Sequence, residues 1–472
     1  MLITINMKIN SFRAENVHGY LKFEINFFPD LTFLIGINGS GKTSALKLIL
    51  GLTSPSFHYL NQLQYEFCEV VCSSINNECD IKIRSEKSEN DTFTITLDLK
   101  GEIFKSTPIT RLIKENDSPY DSDELIVAEQ RKRELFDSLE IIKKIRELAT
   151  PKFLGLDRRI YEGRLIDYRF KNKRSFQYSK YGKRNYELQA DSPAIDFSLD
   201  EVQSLIYDYI RKIAQQQPEI SEEFKRRIFK QSFNFIDEGS YKIDPIPNSF
   251  ESVLERKEKV ISAISNLGLS YLNYDVNIYF KHIENIVRQH LEFNKDNKSD
   301  VELSKISDEH FEIIRKWYNN GIQLRRIDEI IDYSQEYQGK IAELRAPIKR
   351  LETITSNFLK EGQKSLIIEA DGEIKVLLKN GKSASIYELS SGEKQIIIMI
   401  AHLIFEEDQR PSGIFIIDEP ELSLHIAWQD IFVSSIMEAS PKTQFILATH
   451  APSIISKVER EVLCQDLNIL NN

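Results

Sequence analysis

The chain has 472 residues, of which 41% are apolar and 28% charged, and a net charge of −10. These values exclude a disordered chain and a uniformly basic nucleic-acid coat protein, and the length predicts two or three structural units. The opening MLITINMKINSFRAEN lacks the order of a signal peptide, and the longest apolar run, Ile396 to Phe405, is about half a membrane span, so a cytoplasmic, membrane-free protein is expected.

In chain order, ITINMKINSF, LKFEINF and LTFLI alternate as strands. Glycines begin where the third strand stops, and ALKLILGL follows at helical spacing. From Tyr65 to Phe104 further alternation (FCEVVCSSI, CDIKIRS, TFTITLDLKG) predicts more strands, and residues 122–148 read as a charged helix. Cys68, Cys72 and Cys79 have no second pair or histidine at ligand spacing, so Cys68 and Cys72 are expected to be small buried hydrophobes. Between Lys152 and Arg184 the cations Arg158, Arg159, Arg164, Arg169, Lys171, Lys173, Arg174, Lys183 and Arg184 are interleaved with tyrosines and phenylalanines. Cations for phosphates and rings for stacking suit a nucleic-acid groove; a solvated hairpin with its rings turned inward has the same composition.

Between Phe197 and Glu361 glycine becomes scarce and apolar residues take helical spacing. Tyr337, Ile341, Leu344, Ile348, Leu351 and Phe358 form a short three-and-four seam, either coiled-coil-like or one helix of a bundle, which Pro347 should kink or break. Beyond Gly362 strand alternation returns in SLIIEADGEIKVLLKNG, and the chain closes with alternating strand and helix signals. The expected organisation is an α/β body assembled from both chain ends, residues 1–196 and 362–472, with a helical insertion at 197–361.

Three motifs carry chemistry. GINGSGKTS satisfies G-x-x-x-x-G-K-[ST] between a strand and a helix, the context a phosphate cradle requires. Gly36, Asn38, Gly39, Ser40, Gly41, Lys42, Thr43 and Ser44 are therefore candidate nucleotide-binding residues, with Lys42 for the β- and γ-phosphates and the Thr43 hydroxyl for Mg²⁺. GIFIIDEPELSLH is an apolar strand ending in Asp418, a second candidate Mg²⁺ contact, and Glu419, placed to polarise an attacking water. TQFILATHAPSII puts His450 at the end of the next strand, where it could bond a γ-phosphate. A fourth stretch, ELSSGEKQIII, has no base or metal ligand and so no catalytic chemistry of its own.

The phosphate loop, the Leu389-Ser390-Ser391-Gly392-Glu393 knot, the acidic strand and the strand-end histidine, in that order, resemble the ABC-type ATPase head, where the knot is the signature usually written LSGGQ. The resemblance implies a P-loop NTPase fold, bound ATP and Mg²⁺, and ATP sandwiched between two heads. Ser390, Gly392 and Glu393 of one head would face the γ-phosphate held by the other. About 350 residues separate Lys42 from Ser391, too many for an ordinary loop. That insertion, the EPELSLH segment and the opening INSFRAENVHGYLKFEINF resemble the soluble SMC, RecF-like and OLD branch, with Arg13 matching a residue often near the nucleotide. The glutamine of the Q-loop stays open between Gln62, Gln64 and the segment PKFLGLDRR. OLD nucleases continue into a Toprim nuclease domain, whereas 22 residues follow His450 in this sequence. Overall layout and FLGLDRR resemble the Septu-type, retron-associated antiphage ATPases (the PtuA family). That implies an ATPase subunit controlling a separate HNH nuclease (PtuB-like), with DNA or retron RNA/DNA as a further partner. A DNA-repair ATPase of SMC or RecF type, and a non-hydrolysing ATP-locked scaffold, are the alternatives.

Overall fold

The computed structural model describes residues 7–74, 80–88, 92–110, 131–132, 134–148, 151–154, 160–162, 194–233, 244–296, 308–409, 413–455 and 462–468. The chain divides into two compact units, one made of residues 1–207 and 348–472 and the other of residues 208–347.

The first unit opens with the hairpin β1 (Met7–Val17) and β2 (Leu21–Asn26), followed by β3 (Leu31–Ile35), α1 (Lys42–Thr53) and α2 (Phe57–Gln62). β4 (Phe67–Ser74), β5 (Asp80–Ser88), β6 (Thr92–Leu99), β7 (Glu102–Lys105) and β8 (Ile109–Thr110) come next, then α3 (Glu140–Glu147), β9 (Lys152–Leu154) and β10 (Ile160–Glu162). The long helix α4 (Ala194–Ser232) carries the chain out of this unit. Helices α5 (Glu251–Asn266), α6 (Asn273–Asp296) and α7 (Asp308–Leu359) follow, and the chain returns to the first unit within α7. There β11 (Lys364–Ile368), β12 (Ile374–Leu378) and β13 (Ser383–Ser385) lead to α8 (Ser391–Gln409), β14 (Ile414–Asp418), α9 (Ile426–Ala439), β15 (Gln444–Ala448), α10 (Pro452–Ile455) and β16 (Cys464–Asp466).

Among the described residues these strands form three sheets. Period-2 sequences from the amino-terminal part pair antiparallel in the order β2-β1-β4-β5-β6-β7, with β8 on β6. Apolar strands from both chain ends, β14, β15 and β3, form the centre of the second sheet, β10-β9-β14-β15-β3-β16, which is parallel except for β10. β14 and β15 are buried along their whole length, as expected of parallel strands covered on both faces. β11, β12 and β13 make a small antiparallel sheet. One apolar core joins the antiparallel sheet, α1 and residues Ile414, Ile416, Ile446 and Ala448 of the parallel sheet. The fully buried Gln444 side chain ties these sheets together: Oε1 accepts from Ile9 N at 2.8 Å, and Nε2 donates to Ile9 O at 2.8 Å and Phe28 O at 2.9 Å. Cys68 and Cys72 lie buried on β4; burial pushes the Cys72 thiol up to about 12 and the Cys68 thiol higher still, as inert core residues. Cys79 lies outside the described residues.

The second unit is helical. Within it α4 and α7 run antiparallel: Tyr209 Oη donates to Leu344 O at 3.0 Å, the Phe224 and Tyr337 rings are 5.0 Å apart, and Arg227 meets Glu336 at 2.6 Å. Lys340 bonds both Glu223 and Glu336 at 3.1 Å, closing a four-charge network along the pair. A separate core packs Val253, Phe280, Ile283, Val287, Trp317 and Leu324 from α5, α6 and α7. The part of the expected seam from Tyr337 to Leu344 is thus one side of an antiparallel helix pair. Pro347 does not end α7, which continues to Leu359. A helix proline costs about 3 kcal/mol, a penalty that packing along the rest of a 52-residue helix outweighs. The α/β architecture with a long helical insertion is the fold of the chain. Among the described residues no helix is long and apolar enough to cross a membrane.

Candidate nucleotide site

β3 stops at Ile35 and α1 starts at Lys42, so the glycine-rich loop spans a parallel strand and a helix amino terminus. Gly41 caps α1 with φ 89°, and a Cβ there would lie 2.6 Å from Phe23 Cζ and 2.8 Å from Leu21 Cδ1. Only glycine fits both the left-handed backbone and that approach. A Cβ on Gly36 would come within 2.6 Å of Ser40 Oγ, so the loop closes tightly on itself. The first turn of α1 holds no acidic residue, which leaves its N–H groups and the positive dipole end for an anion. Asn38 and Gly39 are exposed at the loop tip, and Ser44 Oγ is 2.9 Å from His18 Nε2.

Lys42 is 5% exposed and folds back over the loop, donating to Gly36 O at 3.0 Å and Ile37 O at 3.3 Å. Burial pushes its ammonium below the ordinary lysine value, against the pull of the Glu419, Asp418 and Glu421 carboxylates. Its Nζ lies 3.5 Å from His450 Nδ1. With Nδ1 accepting, the imidazole carries its proton on Nε2, 4.0 Å from Glu419 Oε1.

Thr43 Oγ1 donates to Asp418 Oδ2 at 3.0 Å across 375 residues of sequence. The other carboxylate oxygen, Asp418 Oδ1, is buried and has no hydrogen-bond partner among the described residues. Burial raises the Asp418 pKa, with Glu419 adding to the shift and Thr43, Lys47 and Lys42 opposing it. An orphaned carboxylate oxygen beside a threonine hydroxyl is the donor set a hard divalent cation requires, so the residues present fit Mg²⁺.

Glu419 leaves the strand in a left-handed conformation, φ 50°, pinned by its N–H donating to Ala448 O at 2.8 Å. That backbone is disfavoured for a non-glycine residue. Sequence reasoning missed the next acid. Glu421 accepts from His450 N at 2.6 Å and from Thr449 Oγ1 at 2.9 Å, joining the loop after β14 to the loop after β15. It also missed Asn468, whose Oδ1 accepts from Ile37 N at 3.1 Å, and His18. The repeated acid in E-P-E was the one visible sign of the first; the others depend on strand order.

At the signature, Ser390 and Ser391 are exposed, Gly392 is half-buried and Glu393 is buried. Ser390 N and Oγ both donate to Glu393 Oε2 at 2.9 Å, and Glu393 N donates back to Ser390 Oγ at 3.4 Å. Lys364 on β11 pairs with Glu393 Oε1 at 2.8 Å. Burial of the Glu393 carboxyl opposes ionisation, but the bonds from Lys364 and Ser390 outweigh it and hold the pKa below the ordinary glutamate value. Arg13 lies on β1 in an exposed ion pair with Glu24 at 2.8 Å, on the antiparallel sheet. Gln62 and Gln64 are both exposed. The basic residues Arg158, Arg159, Arg164, Arg169, Lys171, Lys173, Arg174, Lys183 and Arg184 lie outside the described residues.

The chain matches the family model described as AAA ATPase domain over residues 7–455. It is 35% identical over 94 residues to the Retron Vc95 probable ATPase of Vibrio cholerae serotype O1 biovar El Tor, a segment covering 18% of this chain and 18% of that protein. It is 33% identical over 92 residues to the Retron Ec83 probable ATPase of Escherichia coli, covering 18% and 17%. The chain thus spans under a fifth of the length of the curated relatives it matches. Among solved structures, an Smc head domain from Pyrococcus furiosus, bound to the C-terminal domain of ScpA, aligns over 95% of this chain and 91% of its own at 13% identity and a TM-score of 0.39. The SMC head domain from Thermotoga maritima aligns over 95% and 91% at 12% identity and a TM-score of 0.33. With the family model matched across nearly its whole described length, the chain belongs to the AAA ATPase domain family.

Proposed function

We propose that the chain is the ATP-binding and Mg²⁺-dependent ATP-hydrolysing subunit of an antiphage defence complex, in which two heads sandwich ATP and their nucleotide state controls a partner HNH nuclease. One observation carries the enzymatic part: Lys42, Thr43, Asp418, Glu419 and His450, far apart in sequence, meet around one loop. The partial likeness to retron ATPases supports the biological part.

In this reading the loop N–H groups and the α1 amino terminus hold the phosphates, and Lys42 releases its two loop carbonyls to neutralise the β- and γ-oxygens. Thr43 Oγ1 and Asp418 hold Mg²⁺, which when bound supplies charge neutralisation at the phosphates. Glu419 orients the attacking water and takes its proton, while His450 Nε2–H donates to the γ-phosphate. The exposed Ser390 hydroxyl and the α8 amino terminus serve the nucleotide of a second copy. DNA or retron RNA/DNA is the ligand for the basic strip.

Glu419→Gln should bind ATP as the native chain does and lose most turnover, read as phosphate release beside an equilibrium nucleotide-binding measurement. Native-like turnover in that variant sinks the assigned base. Tight ATP binding with no turnover in the native chain, alone and with its nuclease, would instead identify an ATP-locked scaffold.

A further inference from the structure

Resting on that reading of the site, we propose that Glu421 is a positioning residue for ATP hydrolysis, holding the His450 imidazole against Lys42 and Glu419 through the His450 backbone. Glu421 sits in the short 3-10 turn Pro420–Ser423, immediately after the β14 strand end. Its two oxygens do separate work. Oε1 accepts the His450 N–H at 2.6 Å, and Oε2 accepts the Thr449 hydroxyl at 2.9 Å. A carboxylate acceptor makes both stronger than neutral hydrogen bonds.

Thr449 is itself fixed. It is fully buried, its N–H donates to Leu34 O at 3.1 Å at the end of β3, and its Oγ1 accepts from Ala451 N at 3.0 Å. Glu421 therefore anchors to a residue already joined to the strand that carries the phosphate loop. From there it reaches one residue further, to the backbone of His450. Among the described residues the imidazole has no comparable hold at its ring: Nδ1 is 3.5 Å from Lys42 Nζ, and Nε2 is 4.0 Å from Glu419 Oε1. Its place is set by the main chain, and Glu421 sets the main chain.

A misplacement of about 1 Å at a catalytic group reduces rate by about a hundredfold. Glu421→Asp keeps the charge and shortens the reach; Glu421→Ala removes both. In the full chain, both variants should lower kcat for ATP by about ten- to a hundredfold. KM and the nucleotide-induced shift in thermal midpoint should stay near native, because the loop and Lys42 are untouched. A kcat within twofold of native in Glu421→Asp overturns the proposal, as does a KM that rises by the factor kcat falls. Should Glu421→Ala fail to fold, Glu421→Asp decides alone. Glu419→Gln separates the two levels: if it turns over normally, the functional reading has failed. If it is inactive while Glu421→Asp is native-like, only the role of Glu421 has failed.

Discussion

Asp418 ionises against its surroundings. Burial raises its pKa, and among the described residues only one of its two oxygens finds a donor. A carboxyl whose pKa is higher folded than unfolded stabilises the fold below the unfolded value, and that contribution is lost as pH rises through the folded value. At neutral pH the ionised side chain is therefore a destabilising element of the nucleotide-free protein. Asp418→Asn, which keeps an acceptor for Thr43, should raise the thermal midpoint at pH 7, and the gain should shrink as pH falls through the aspartate range. The same variant should lose the extra midpoint shift that Mg²⁺ adds to that of ATP, measured by thermal unfolding with and without the metal. A midpoint at or below native for a well-folded Asp418→Asn would contradict a strained carboxylate.

At the scale of elements, the signature doubles as a helix cap. Ser390 and Glu393 form the S-x-x-E box whose reciprocal bonds satisfy the Ser390 and Glu393 N–H groups, and Lys364 neutralises the acid. Ser390→Ala should lower stability by about 1 kcal/mol, and Ser390→Thr should recover most of it, read as denaturant midpoints. An unchanged Ser390→Ala midpoint would mean the cap contributes nothing. Most strands and helices were legible in the sequence: period-2 alternation marks β1, β2 and β4 to β7, apolar runs mark β14 and β15, and helical spacing marks the insertion. The loop Gly36–Ser44 was legible because its backbone demands glycine wherever it occurs. Glu421 and Gln444 were not, because their partners are set by which strands lie side by side, and alternating patterns do not encode neighbours. The continuity of α7 through Pro347 was hidden for a related reason: packing on α4 overrides a local preference, and the partner is more than a hundred residues away.

For the whole molecule, the two-copy reading has a direct test. Lys42→Ala removes the loop cation and Ser390→Arg blocks the signature, so each variant alone should have negligible turnover. Mixed in equal amounts, half of randomly assorted dimers carry one site with both groups intact, restoring roughly a quarter of native turnover. No recovery on mixing would confine the site to one chain. The strand order carries a last consequence, for synthesis on the ribosome. β3 lies between β15 and β16, so among the described residues the apolar LTFLI segment preceding the phosphate loop pairs only with strands made about 400 residues later. At 5–20 residues per second, that is a wait of roughly 20–80 s with an unpaired hydrophobic edge. The nascent chain should hence lean on chaperones for most of its translation, and should acquire its phosphate loop among the last things it builds.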